Sequence, residues 1–230
     1  MKALFEVFYQ PTKLFESLPG RKGAWIAPVI VNALLLVLVS WLVPHYVGRE
    51  NIARQQLEAF SSRMNPEQFQ AAIARANSPV SIYSGYVAAA IGTVLVLLAI
   101  SGILMAFAMM TSHAPTFGTM LAMTSLAFFP YWLITTAMTA LILASSPDPA
   151  SLDIRNLIAT NPAAYMDRNS MAKGLYSLLS SLDVLSFAEI GLLAFGFSKV
   201  TRVNIFFGLI GVVGMWILYV SAKMAISLLF

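Results

Sequence analysis

The sequence predicts an all-α fold: a polytopic integral membrane helix bundle with five transmembrane helices and a cytoplasmic N-terminus. Three observations carry this. The first is composition: 59% of the 230 residues are hydrophobic and only 10% are charged, against about 25% charged in soluble domains. One soluble core cannot hide that much apolar surface, so lipid must cover it. The second is a 72-residue run, Ala76 to Pro147, without Lys, Arg, Asp or Glu, which is room for two spans and a turn at about 20 residues per crossing. The third is that most basic residues fall at the ends of the apolar runs, where membrane proteins place them.

Residues 1–23 place Leu4, Phe5, Phe8, Leu14, Phe15 and Leu18 at near-helical spacing, broken by Pro11 and interleaved with Lys2, Lys13, Arg21 and Lys22. This pattern suits an N-terminal amphipathic cytoplasmic segment, lying either in the membrane interface or on the protein's own cytoplasmic face. Residues 24–230 then form one five-span membrane domain. Its first span, 24–43, is an uncharged run of 20 residues with Trp25 and Trp41 near its ends as interfacial anchors. The run is too long for a secretory leader, and no small-x-small cleavage site follows it.

A loop at 44–82 holds a weakly amphipathic helix (Ile52, Leu57, Phe60, Met64) and a fresh helix start at Asn65-Pro66-Glu67, with Asn as N-cap and Pro in the first turn. Spans 85–110 and 117–143 follow, separated by the Thr111–Thr116 turn. Small residues recur four apart (Gly85/Ala89, Ala88/Gly92, Gly102/Ala106, Gly118/Ala122), as close helix approach requires. Pro130 is the candidate kink of the third span. A second loop opens with the turn Ser146-Pro147-Asp148-Pro149 and contains a helical candidate at 152–158. Spans 182–198 and 203–229 close the chain as a hairpin around Lys199 and Arg202.

Five spans put the N-terminus and both short turns on one side, with six basic residues in little chain. The two long loops have seven, diluted by six acids. The denser side is expected to be cytoplasmic.

Candidate chemistry is sparse. The net charge of +4 does not suggest nucleic-acid binding. Without cysteine there is no disulfide, thiol nucleophile or thiolate metal site. His45 and His113 fall on opposite membrane sides, and no HExxH, GxSxG or phosphate-loop glycine pattern is present. No catalytic residue, metal site or cofactor is therefore expected.

Ionisable residues inside spans are the better pointers, since charge there is expensive. Asp183 and Lys223 are expected at similar height near the outer ends of the last two spans, close enough for a salt bridge. Lys223 is also expected to turn away from a small-residue packing stripe (Gly211, Gly214, Ser221, Ala225) and snorkel outward. Glu189 lies deeper, about 10 Å below the outer end at 1.5 Å per residue, and shares a face with Ser186, Leu193 and Gly196. Asp183 and Glu189, six residues apart, are not expected to form a carboxylate pair. Asp183, Glu189, Lys223 and Ser186 make up the candidate intramembrane polar site.

The segment SLDVLSFAEIGLLAFGFSKVTRVN resembles the late hairpin of the Yip family (Ypt-interacting-protein-like membrane proteins), where S-x-D-hydrophobic … G-hydrophobic … T-[KR] joins the last two spans. YQPTKLFESL before the first span and SLAFFPYWL in the third are similar to that family too. The resemblance implies five spans, a cytoplasmic N-terminus and a bacterial member in the cytoplasmic (inner) membrane. Eukaryotic members are linked to vesicle trafficking and bind Rab-type small GTPases. This chain lacks their long hydrophilic N-terminal region and Asp-Leu-Tyr-Gly-Pro-like motif, so small-GTPase binding is not expected.

The leading expectation is a non-enzymatic scaffold or adaptor whose partners are the lipid bilayer, other membrane proteins and further copies of itself. The alternative is a small transporter or channel subunit, with Glu189 handling a proton or ion and Pro130 as hinge. A polar cavity reaching Glu189 favours the alternative; a filled, dry bundle favours the scaffold.

Overall fold

The structure, a computed structural model, describes residues 2–57, 64–167 and 171–229. All regular elements among them are helical. Two short helices, α1 (Lys2–Tyr9) and α2 (Pro11–Ser17), precede the first span, α3 (Ile26–Val47). Next come α4 (Arg49–Leu57), α5 (Pro66–Ala76), α6 (Pro79–Ala108) and α7 (Phe117–Ser145), then α8 (Lys173–Leu179), α9 (Val184–Thr201) and α10 (Ile205–Leu229). Five of these, α3, α6, α7, α9 and α10, are long and apolar enough to cross a membrane. The chain is thus an all-helical integral membrane protein.

Four helix starts, those of α5, α6, α7 and α9, are set by a short polar cap. Asn65 Oδ1 accepts from the Gln68 amide at 2.7 Å and Gln68 Oε1 accepts from the Asn65 amide at 3.1 Å, a reciprocal box with Pro66 in the first turn. Ser78 and Thr116 cap α6 and α7 through the Ser81 and Thr119 amides. The Ser78 cap starts the second span at Pro79, six residues before the apolar run suggests. Gly48, at φ +87°, reverses the chain between α3 and α4 in a conformation few other residues tolerate.

The N-terminus of α3, the 109–116 turn and the α9–α10 turn define one face of the bundle. α4, α5, α8 and the 146–183 loop lie at the opposite, far face. Helices α3, α6 and α9 pack around α7, while α10 packs on α9 and α8. α7 is the hub because its first half, Thr119 to Phe129, is buried on every side. Asn32 of α3 donates to the Ser125 carbonyl of α7 at 2.7 Å, so a polar group deep in the bundle is not left bare on its donor side.

The N-terminal segment packs on the bundle rather than lying apart from it. Leu4, Val7, Leu14, Phe15 and Leu18 are buried in one core with Met120, Met123 and Phe197. Glu16 pairs with Lys199 at 2.9 Å, tying α2 to the end of α9. Phe5, Phe8 and Tyr9 remain exposed, so the segment still offers an apolar edge to the interface.

Several local expectations are corrected. The predicted helix at 152–158 is only a 3₁₀ turn at Ile154–Asn156, and α8 is an unforeseen helix. Phe60, assigned to the first loop helix, lies outside the described residues. The α10 packing face is not Gly211, Gly214, Ser221 and Ala225: Ser221 and Ala225 are exposed and nothing lies within 4 Å of a Cβ at Gly214. Instead Gly208 meets α9 so closely that a Cβ there would sit 2.6 Å from the Ala194 carbonyl oxygen. Gly211 does belong to a contact, lying under the ring of Phe107 from α6, which stacks on Phe207 at 4.6 Å. From Gly208 the inward stripe continues through Val212, Met215 and Lys223, with Tyr219 at its outer edge. Lys223 does turn away from the small-residue stripe, but toward the bundle interior.

Candidate functional site: an intramembrane polar cavity

Towards the far face α6 and α10 no longer fill the space between them, and a cavity of about 940 Å³ opens among α3, α6, α7, α9 and α10. The 154–161 loop roofs it. All four polar residues singled out in the sequence, Asp183, Ser186, Glu189 and Lys223, line this one cavity.

Asp183 is the N-cap of α9. Its Oδ1 accepts from the Ser186 amide at 3.0 Å, and its Oδ2 accepts from the Thr160 hydroxyl. The Val184 amide also donates to the Thr160 carbonyl at 3.3 Å, so this carboxylate and the first turn of α9 pin the roof loop in place. The role is one that Asp fills well: its short side chain reaches the free amides of a helix start, and its charge suits the positive end of the helix dipole.

Lys223 neither snorkels outward nor pairs with Asp183; among the described residues no ion pair joins the two. Its ammonium donates to the hydroxyls of Ser180 and Ser181, at 2.9 and 3.0 Å. Both hydroxyls donate in turn to the Ser177 carbonyl, each at 2.9 Å. That carbonyl belongs to the last turn of α8, so the cation is bound through two hydroxyls to the negative end of a helix. Ser180 and Ser181 escape sequence reasoning because their role exists only once α8 ends beside them; the Ser-Ser pair before Asp183 is the signal available.

Glu189 sits on the cavity wall at span depth, and its Oε1 is buried without a hydrogen-bond partner. Ser186, which shares its helix face, forms no hydrogen bond with it among the described residues. The walls beside it carry Tyr131 and Tyr219, which the sequence reading missed. Tyr131 directly follows Pro130 in the phrase AFFPYW. α7 is one helix through Pro130; the proline has no amide to give to the Leu126 carbonyl.

His45 stacks on Trp41 at the far face, and His113 lies in the turn at the opposite face. Among the described residues no cluster of three or more His, Cys, Asp or Glu could hold a metal ion. What the cavity offers chemically is one bound ammonium, the Arg155 guanidinium of the roof, which donates to the Gln55 carbonyl, one capped carboxylate and one carboxyl oxygen with unused acceptor capacity, set in largely apolar walls.

Fold and site together define the class: an integral membrane protein with five candidate spans and a largely apolar cavity that carries a few polar groups. Comparison with known proteins finds no matching family model, no matching curated protein and no matching solved structure.

Proposed function

We propose that this protein is a small transporter or channel subunit whose working site is the cavity around Glu189. One observation carries the reading: a carboxyl group at membrane depth lines a cavity and has an oxygen without a partner. A buried unpaired acceptor is expensive to keep, and ionisable groups within spans mark substrate or ion pathways more often than packing. A filled bundle would have favoured the scaffold. On the motif resemblance, we place the protein with bacterial Yip-family members in the cytoplasmic membrane, N-terminus inside.

The reading is tested in proteoliposomes loaded with a pH-sensitive dye and given an inside-negative potassium–valinomycin potential. The wild-type chain should acidify the lumen faster than protein-free vesicles, whereas Glu189→Gln, incorporated equally, should fall to the protein-free rate. Equal rates for wild type and protein-free vesicles would overturn it.

A second reading, a non-enzymatic scaffold or adaptor for other membrane proteins or a second copy of this chain, draws on a different feature. Gly85, Gly92 and Gly102 of α6 have open space where a Cβ would project, so faces suited to close helix approach are not used inside this chain. Crosslinking of α6 cysteine variants between chains would support it.

A further inference from the structure

We infer that the cavity is a lateral binding site for an aminophospholipid-type amphiphile, its zwitterionic head held between Glu189 and Lys223 and its tail leaving between α6 and α10. The inference rests on the cavity reading above and names the ligand of that same site.

The route comes from exposure. Val96 and Ile103 of α6 and Leu218 and Tyr219 of α10 line the cavity, yet they are 48%, 53%, 72% and 61% exposed. Residues that border a cavity while facing outward mark its mouth. All four lie well inside spans, so the mouth faces the hydrocarbon layer. A ligand entering there needs an apolar part, because a bare hydrophilic solute would have to cross lipid first.

The head chemistry comes from the deep end. Glu189 Oε1 is an unused acceptor, which calls for an N–H or O–H donor. Asp183 has both oxygens engaged, Oδ1 in the helix cap and Oδ2 with the Thr160 hydroxyl. Lys223 uses two donors on Ser180 and Ser181; an ammonium has three, so one remains for an anionic oxygen. A head with both a protonated amine and a phosphate meets both demands, and its zero net charge matches a cavity that already holds both signs. A quaternary amine has the charge without the N–H, and a glycerol head has no cation. The walls above the head are aliphatic and aromatic, as a tail requires, and the volume falls in the range of small-molecule sites.

The test uses the purified full chain in detergent and reads lipid affinity by native mass spectrometry, with thermal stability as a second readout. The probes are dioleoyl phosphatidylethanolamine, phosphatidylcholine and phosphatidylglycerol, plus water-soluble O-phosphoethanolamine. Phosphatidylethanolamine should bind best. Glu189→Gln should weaken it about tenfold, the scale of one charge-assisted hydrogen bond. Ala99→Trp, which narrows the wall on α6 without touching the polar end, should weaken the lipid but leave O-phosphoethanolamine unaffected. Equal binding of the three lipids, or an unchanged affinity in Glu189→Gln with its melting temperature intact, overturns the inference. O-phosphoethanolamine binding as tightly as the lipid would assign the site to a free zwitterion and also overturns it. Equilibrium binding is independent of proton flux, so the ligand class and the transport reading can fail separately.

Discussion

Asp183 and Lys223 line one cavity, yet each is committed to a different helix end. Asp183 caps the start of α9 and Lys223 binds the end of α8 through Ser180 and Ser181. Their energetic coupling should therefore be small: a double-mutant cycle on thermal unfolding should return no more than about 0.6 kcal/mol, the average for polar pairs in membranes. A value near about 2 kcal/mol would mean that the two charges meet directly. Asp183→Ala alone should cost about 1 kcal/mol, the usual loss of a cap, while Asp183→Asn should retain most of the stability because it can still accept the Ser186 amide. Three of the four candidate residues, Asp183, Glu189 and Lys223, could be found in the sequence because charge in an apolar run is conspicuous, and Ser186 because it shares a helix face with Glu189. Their partners could not: Ser180, Ser181 and Thr160 are ordinary polar residues until the helix ends and the roof loop bring them together.

At the scale of elements, the α9–α10 hairpin depends on one close approach. Gly208→Ala puts a methyl group 2.6 Å from a backbone carbonyl oxygen that cannot rotate away, and it should destabilise the bundle by about 1–3 kcal/mol. Gly214→Ala, where nothing lies within 4 Å, should be nearly silent. Reversed effects in a detergent melting series would show that the hairpin packs on another face. The N-terminal helices make a comparable claim: Phe15 is fully buried against α9 and α7 residues, so Phe15→Ala should cost about 3–5 kcal/mol. Span number and order were legible because twenty-residue apolar runs and polar caps are local signals. The packing face of α10 was not, since on a helix surrounded by apolar residues a small-residue stripe marks where a neighbour fits, not whether one is there. α8 was hidden for a related reason: a seven-residue helix carries too few turns to display a period.

For the whole molecule, the proposed orientation has the N-terminal face in the cytoplasm, and the exposed Ser112 and Ser151 lie on opposite faces to test it. The chain has no cysteine, so single replacements label cleanly. On intact cells an impermeant thiol reagent should label Ser151→Cys and spare Ser112→Cys; labelling of Ser112→Cys alone would invert the orientation. The central claim concerns the cavity, and the same method reaches it most directly. Ser186→Cys lies on the cavity wall, whereas Ser125→Cys is sealed between α3 and α7. In purified protein, a small lipid-soluble thiol reagent such as N-ethylmaleimide, which can enter from the hydrocarbon side, should modify Ser186→Cys rapidly and leave Ser125→Cys untouched. A Ser186→Cys variant as inert as Ser125→Cys, in folded protein, would mean that the bundle is filled at Glu189 and would contradict the account.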